Sequence, residues 1–305
     1  MPIPMKPDDE ADIHAIIKKV RRIELKTRGL VTGGIAGKYH SSFKGEGLDF
    51  EDLREYQHGD EVRSIDWNVT ARVGTPFIKN FTEEREMSVF LIVDVSDSMD
   101  YGSVDSSKRE LAAEIAAVFA FSAIQNRDKV GLILFSGDVN LCLPPRRGAG
   151  QGLRIIREIL HQRSQHSGGT TTSATQALRS LTNVARRRSL AIVISDFLFE
   201  LRSETVRSTS ARHDLVAVQV SDPVERALPD VGWLRFRDPE TGQHRDINTA
   251  DRALREAYAK ERQRWQGDVD LFFRRHAVDL IKAGTEADYI PALRAFFRRR
   301  VAVQN

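Results

Sequence analysis

The segment "FLIVDVSDSMD", residues 90–100, carries Asp94, Ser96 and Ser98 at alternate positions. In an extended chain, residues two apart point the same way. One carboxylate and two hydroxyls would therefore share one side of the backbone. Such hard oxygen donors select Mg²⁺, Mn²⁺ or Ca²⁺ over zinc. A second carboxylate, Asp196, follows the apolar run "LAIVIS", and "GGTTT" at 168–172 offers hydroxyls on an intervening loop. Two carboxylates and three hydroxyls would leave a six-coordinate ion with one open position and residual charge. An Asp or Glu from another protein could complete that shell. The pattern places no general base beside these residues, so it points to binding and not to an enzyme.

These donors need a scaffold that ends several strands at one edge. "MSVFLIVDV" (87–95), "KVGLILFS" (129–136), "SLAIVISDF" (189–197) and "DLVAVQVSD" (214–222) are near-continuous apolar runs. Runs of that kind are strands covered on both faces. Helical patterns over 108–126, 151–163, 173–187 and 202–212 separate them, and Ser107 with Glu110 predicts a capping box. "AVDLIKAGT" (277–285) and a helix over 287–300 complete the alternation. Strand–helix alternation predicts an α/β fold with a doubly wound, mostly parallel sheet. In such sheets ligands sit beyond the carboxyl ends of the strands.

Three regions are expected. Residues 1–86 read as an N-terminal helix over 9–27 and a flanking β-rich segment, with "TPFIKNFTEE" as a strand. Residues 87–222 with 277–300 form the sheet domain. Residues 223–276 read as an insertion, a hairpin with its turn at Pro239–Gly242 and then a charged helix over 250–275. The chain has 305 residues, 41% hydrophobic and 29% charged, and a net charge of +3. That balance is too mild to argue for nucleic acid. Cys142 is the only cysteine, so no internal disulfide can form. The longest apolar run, "IAAVFAFSAI", is too short to span a bilayer. A cytoplasmic protein with no membrane span is the expectation.

The order "DVSDS", "GGTTT" and "ISD" resembles the metal-ion-dependent adhesion site of von Willebrand factor type A domains. That resemblance implies Asp94, Ser96, Ser98, Thr170 and Asp196 as the metal ligands. Upstream, "DFEDLREY", "GDEVRSIDW", "AR" and "EERE" are similar to the signature of the bacterial "domain of unknown function 58" family. Genes of that family often neighbour those of MoxR-type AAA+ ATPases. The resemblance therefore implies an adaptor or chaperone-system component, with such an ATPase as protein partner.

Other readings are weaker. A haloacid dehalogenase-type phosphatase would need Asp-x-Asp, but Ser96 stands at the second place and is too weakly acidic for a general acid. "TGGIAGKYH" (32–40) lacks the first glycine and the hydroxyl of a phosphate loop. His161 and His166 are spaced wrongly for a zinc pair on a helix. The arginine clusters 186–188 and 298–300 read as solvated helix ends, not as a nucleic-acid surface. Arg54, Asp60, Arg63, Asp66, Arg72, Glu84 and Arg85 read as a structural charge network. Trp67 is expected to be a packing anchor and Cys142 a small buried hydrophobe.

Overall fold

The computed structural model describes residues 7–35, 37, 39, 49–82, 87–162, 173–237 and 243–304. Two compact units emerge, Met1–Ser42 with Ser88–Asn305, and Phe43–Met87. The larger begins with helix α1 (Pro7–Leu30).

In the smaller unit, β1 (Asp49–Glu55), helix α2 (Trp67–Val73) and β2 (Phe77–Thr82) follow in order. β1 and β2 pair antiparallel, with a bulge between Phe50 and Asp52. Asp66 caps α2, accepting from the amides of Asn68 at 2.9 Å and Val69 at 3.3 Å. Gly74 ends the helix at φ 84°, a left-handed conformation that glycine adopts without strain. Arg54 grips Asp60 with two hydrogen bonds of 2.8 and 2.7 Å, so these two charges are structural. Trp67, expected as a packing anchor, stands at the first position of α2 and is 65% exposed. Glu84 and Arg85 lie outside the described residues.

The larger unit continues with β3 (Ser88–Asp94), α3 (Lys108–Gln125), β4 (Lys129–Phe135), β5 (Val139–Arg146), α4 (Ala149–His161) and α5 (Ala174–Val184). Then come β6 (Leu190–Ser195), α6 (Ser203–Arg212), β7 (Asp214–Ser221) and the short α7 (Pro223–Arg226). The hairpin β8 (Trp233–Arg237) and β9 (His244–Asn248), α8 (Arg252–Arg275), β10 (Asp279–Gly284) and α9 (Ile290–Gln304) close it. Six strands form one sheet in the order β10-β7-β6-β3-β4-β5. All neighbours are parallel except β4 and β5. The expected doubly wound, mostly parallel α/β sheet is thus observed. β8 and β9 pair antiparallel as predicted, while the turn at Pro239–Gly242 lies outside the described residues.

Both faces of the sheet are covered. On one, Phe90, Ile92, Ile133, Ala191 and Ala217 pack against Leu178 and Leu181 of α5, Val206 of α6 and Phe273 of α8. On the other runs α3, buried on almost every side from Leu111 to Ala123 because α1 covers its outer surface. Ser107 caps α3 through the amide of Glu110 at 3.2 Å. The box is only half formed, since the Glu110 carboxylate pairs with Lys19 of α1. β5 was not expected: "VNLCLPPR" contains two prolines, which a central strand does not accept. As an antiparallel edge strand it tolerates them. Its alternation buries Leu143 and leaves Cys142 exposed, correcting the expectation of a buried thiol.

His213, between α6 and β7, is 3% exposed, and neither ring nitrogen has a hydrogen-bond partner among the described residues. Burial first, then Arg212 and Arg188, holds its pKa below the ordinary 6.5. The folded ring stays neutral where the unfolded ring takes a proton, so stability falls as pH drops through and below that value. His213→Leu is expected to flatten this slope between neutral and mildly acidic pH. Equal slopes of unfolding midpoint against pH in the two proteins would refute this account.

Candidate functional site

β3 and β6 lie side by side at the centre of the sheet, and the chain leaves them toward opposite edges. Their carboxyl ends therefore form the topological switch point, where open α/β sheets leave a crevice. Asp94 is the last residue of β3, and Asp196 follows the last residue of β6.

Both strand ends fold into side-chain-to-backbone turns. Asp94 Oδ1 accepts from the Ser96 amide at 2.9 Å, and Asp196 Oδ1 accepts from the Leu198 amide at 3.1 Å. Such local bonds are what Asp offers a chain leaving a strand. Ser195 joins the two ends: its hydroxyl donates to Asp94 Oδ2 at 2.6 Å and accepts from the Phe197 amide at 2.9 Å. Phe197 sits at φ 55°, a conformation costing a bulky residue on the order of 1–3 kcal/mol. Its ring is fully buried, 5.0 Å from that of Phe273, and this packing maintains the bend.

Across the gap, the Ser96 and Ser98 hydroxyls are 3.2 Å apart, and Ser98 donates to Asp196 Oδ2 at 2.8 Å. Asp94, Ser96, Ser98 and Asp196 thus converge on one edge of the sheet. Thr170, with the rest of "GGTTT", lies outside the described residues. Asp94 is fully buried and Asp196 is 2% exposed. Burial, and then the neighbouring Asp196 carboxylate, pushes the Asp94 carboxyl up to about 6.

Two further residues belong to this site. Lys108 is fully buried, donates to Asp196 Oδ2 at 2.7 Å and also pairs with Glu225. Burial pulls the ammonium down, but Asp196 and Glu225 outweigh it and raise its pKa. Glu225 is held in turn by the Asp222 amide at 3.1 Å in the capping box of α7. Arg109 donates to the carbonyl oxygens of Val95 at 3.0 Å and Ser96 at 3.4 Å, bracing the loop that carries the serines. A signal for both was present in the sequence. Cations at the first positions of a helix oppose its dipole. Lys108 and Arg109 stand there because their targets are the carboxylates and carbonyls of the neighbouring strand ends.

Beside the cluster opens a cleft of about 500 Å³, walled by Tyr101, Leu198, Val224, Leu228, Phe236 and Tyr258 and reaching Ser98 and Glu225. Four of those six wall residues come from the stretch 223–276.

The donor set fits a hard divalent cation in type: two buried carboxylates and two hydroxyls, with the Lys108 ammonium against them. Among the described residues, no group of three or more His, Cys, Asp or Glu is arranged to hold a metal. Any ion here would therefore depend on the serine hydroxyls.

The model of the family described as "Protein of unknown function DUF58" matches residues 52–267. An uncharacterized protein of Mycobacterium tuberculosis, Rv1480, is 31% identical over 297 residues, 96% of this chain and 93% of its own. A shorter uncharacterized protein of Mycobacterium avium, MAV169, is 31% identical over 159 residues, 52% of this chain and 93% of its own. Among solved structures, BatB from Bacteroides thetaiotaomicron aligns with a TM-score of 0.46 and 17% identity, covering 71% of this chain and 99% of that one. The SpRpn10 VWA domain aligns with a TM-score of 0.35 and 9% identity, covering 68% and 94%. The family match spans well over half the chain, and the mycobacterial relative matches nearly its whole length: the chain belongs to the family described as "Protein of unknown function DUF58".

Proposed function

We infer that this protein is a non-enzymatic interaction module that captures an acidic side chain of a partner protein through a divalent cation. Asp94, Ser96, Ser98 and Asp196, with Thr170 from the intervening loop, would hold Mg²⁺, or Mn²⁺ or Ca²⁺. When bound, the ion supplies an open coordination position and a net positive charge. The chain's own residues supply the rest: Arg109 fixes the serine loop, and the adjoining cleft offers an apolar wall to residues flanking the captured carboxylate. The observation that carries this reading is the juxtaposition of Ser98 with Asp196 at 2.8 Å across the switch point. It gathers oxygen donors from distant parts of the sequence at a ligand-binding edge. The partner we propose is a MoxR-type AAA+ ATPase, as the family resemblance implies, and the setting we propose is cytoplasmic.

The test is affinity capture of that ATPase, in magnesium and in EDTA, with wild-type protein and Asp94→Ala. Capture is expected in magnesium alone, and the variant is expected to lose it while remaining folded. Undiminished capture in excess EDTA would end this reading. A phosphatase would instead turn over a generic aryl phosphate in a magnesium- and Asp94-dependent way, and no turnover is expected.

A further inference from the structure

Asp196 Oδ2 already faces two donors, the Ser98 hydroxyl at 2.8 Å and the Lys108 ammonium at 2.7 Å. Its other oxygen faces the Leu198 amide at 3.1 Å. A carboxylate oxygen turned toward an ammonium cannot turn the same lone pairs toward a metal ion. The hydroxyl can adapt, because it rotates and offers its own lone pairs. The ammonium cannot, because it has donors only. Lys108 is fully buried, so bulk solvent does not screen its charge from an arriving cation. It also has a second carboxylate at hand: Glu225, with which it already pairs, and which α7 holds in place.

We propose that Lys108 is a built-in competitor for the cation site: its ammonium occupies Asp196 until a divalent ion displaces it onto Glu225. Lys108 thereby sets how tightly the site holds its ion. The proposal rests on the metal-binding reading above and adds a determinant of affinity to it. Two charge states of the site follow. Without the ion, Lys108 bridges Asp196 and Glu225. With the ion, Asp196 turns to the metal and Lys108 keeps Glu225 alone, so filling the site alters the wall of the cleft that Glu225 lines.

The experiment is Mn²⁺ binding by titration calorimetry on the full chain, as wild type, Lys108→Met and Glu225→Gln, with thermal unfolding of each in EDTA and in Mn²⁺. Methionine keeps the length and apolar stem of lysine and removes the charge. Lys108→Met is expected to bind Mn²⁺ about tenfold more tightly than wild type or better, since displacing a buried charge no longer opposes the ion. It should also melt lower than wild type in EDTA, where Asp196 loses its counter-ion, and recover more than wild type does on adding Mn²⁺. Glu225→Gln removes the place Lys108 retreats to, and is expected to weaken Mn²⁺ binding by about threefold or more. If Lys108→Met folds in neither medium, Glu225→Gln decides: an affinity equal to wild type overturns the proposal. Wild type and Lys108→Met binding Mn²⁺ equally overturns it too, and leaves the metal site standing. Binding by neither protein removes the metal site and the competitor together.

Discussion

Replacing Asp94 by Asn is expected to stabilise the metal-free protein by on the order of 3 kcal/mol at neutral pH, read from urea unfolding in EDTA. Asp94 is fully buried, and the nearest carboxylate is another buried acid. Its folded-state pKa of about 6 lies above the 3.8 of an unperturbed aspartate. An acid with a raised pKa holds its proton longer in the folded state than in the unfolded one. Its ionisation therefore costs nothing below pH 3.8, progressively more up to about pH 6, and a constant amount above that. Each pH unit between those values is worth about 1.4 kcal/mol. Asparagine carries no charge, and its oxygen can still accept the Ser96 amide. The gain should vanish in acid, where Asp94 itself is neutral. A variant less stable than wild type in EDTA at neutral pH would show that the carboxylate is not under strain. The same substitution should remove stabilisation by Mg²⁺. A residue that destabilises the free fold and serves only with a ligand is a functional residue by that measure.

Phe297→Ala is expected to cost about 3–5 kcal/mol, lowering the urea midpoint without changing the form of the transition. Phe297, on α9, is fully buried. Its ring meets Phe119 of α3 edge-on at 5.8 Å, Tyr39 at 6.4 Å and Phe296 at 5.3 Å. Truncation would leave a cavity among three aromatic rings, two of them from distant parts of the chain, and rigid neighbours collapse poorly into such a space. Arg300, one turn further on, clamps Asp214 with two bonds of 2.6 Å and so ties α9 to β7. A loss below about 1 kcal/mol would mean that α9 is an appendage and not part of the core.

The family resemblance and the pattern of Asp94, Ser96, Ser98 and Asp196 were legible because they are local. A buried parallel strand announces itself as an unbroken apolar run, but the alternation expected of an extended chain stops at Asp94: Ser96 leaves β3 in a turn and Ser98 lies in a 3-10 helix, Asp97–Asp100. Elements whose character depends on their neighbours were not legible. β5 is a strand only because β4 offers it a free edge, and its two prolines argued against it. Cys142 was expected inside as a small apolar residue, and its exposure follows from which face of β5 it occupies. The arginines at 298–300 also read as a solvated helix end, yet Arg300 is tied into Asp214 and Asp279.

What the sequence determined alone was the fold class and the strand ends that carry oxygen donors. Those follow from short-range periodicity and from residue type, neither of which needs long-range contacts. Only the tertiary structure decided that Ser195 bridges to Asp94, that Phe197 is held in a left-handed bend, and that Lys108 lies on Asp196 with Glu225 behind it. These contacts join residues roughly 90 to 120 positions apart. Their energies depend on burial and on the presence of a second charge, and a linear spacing carries neither.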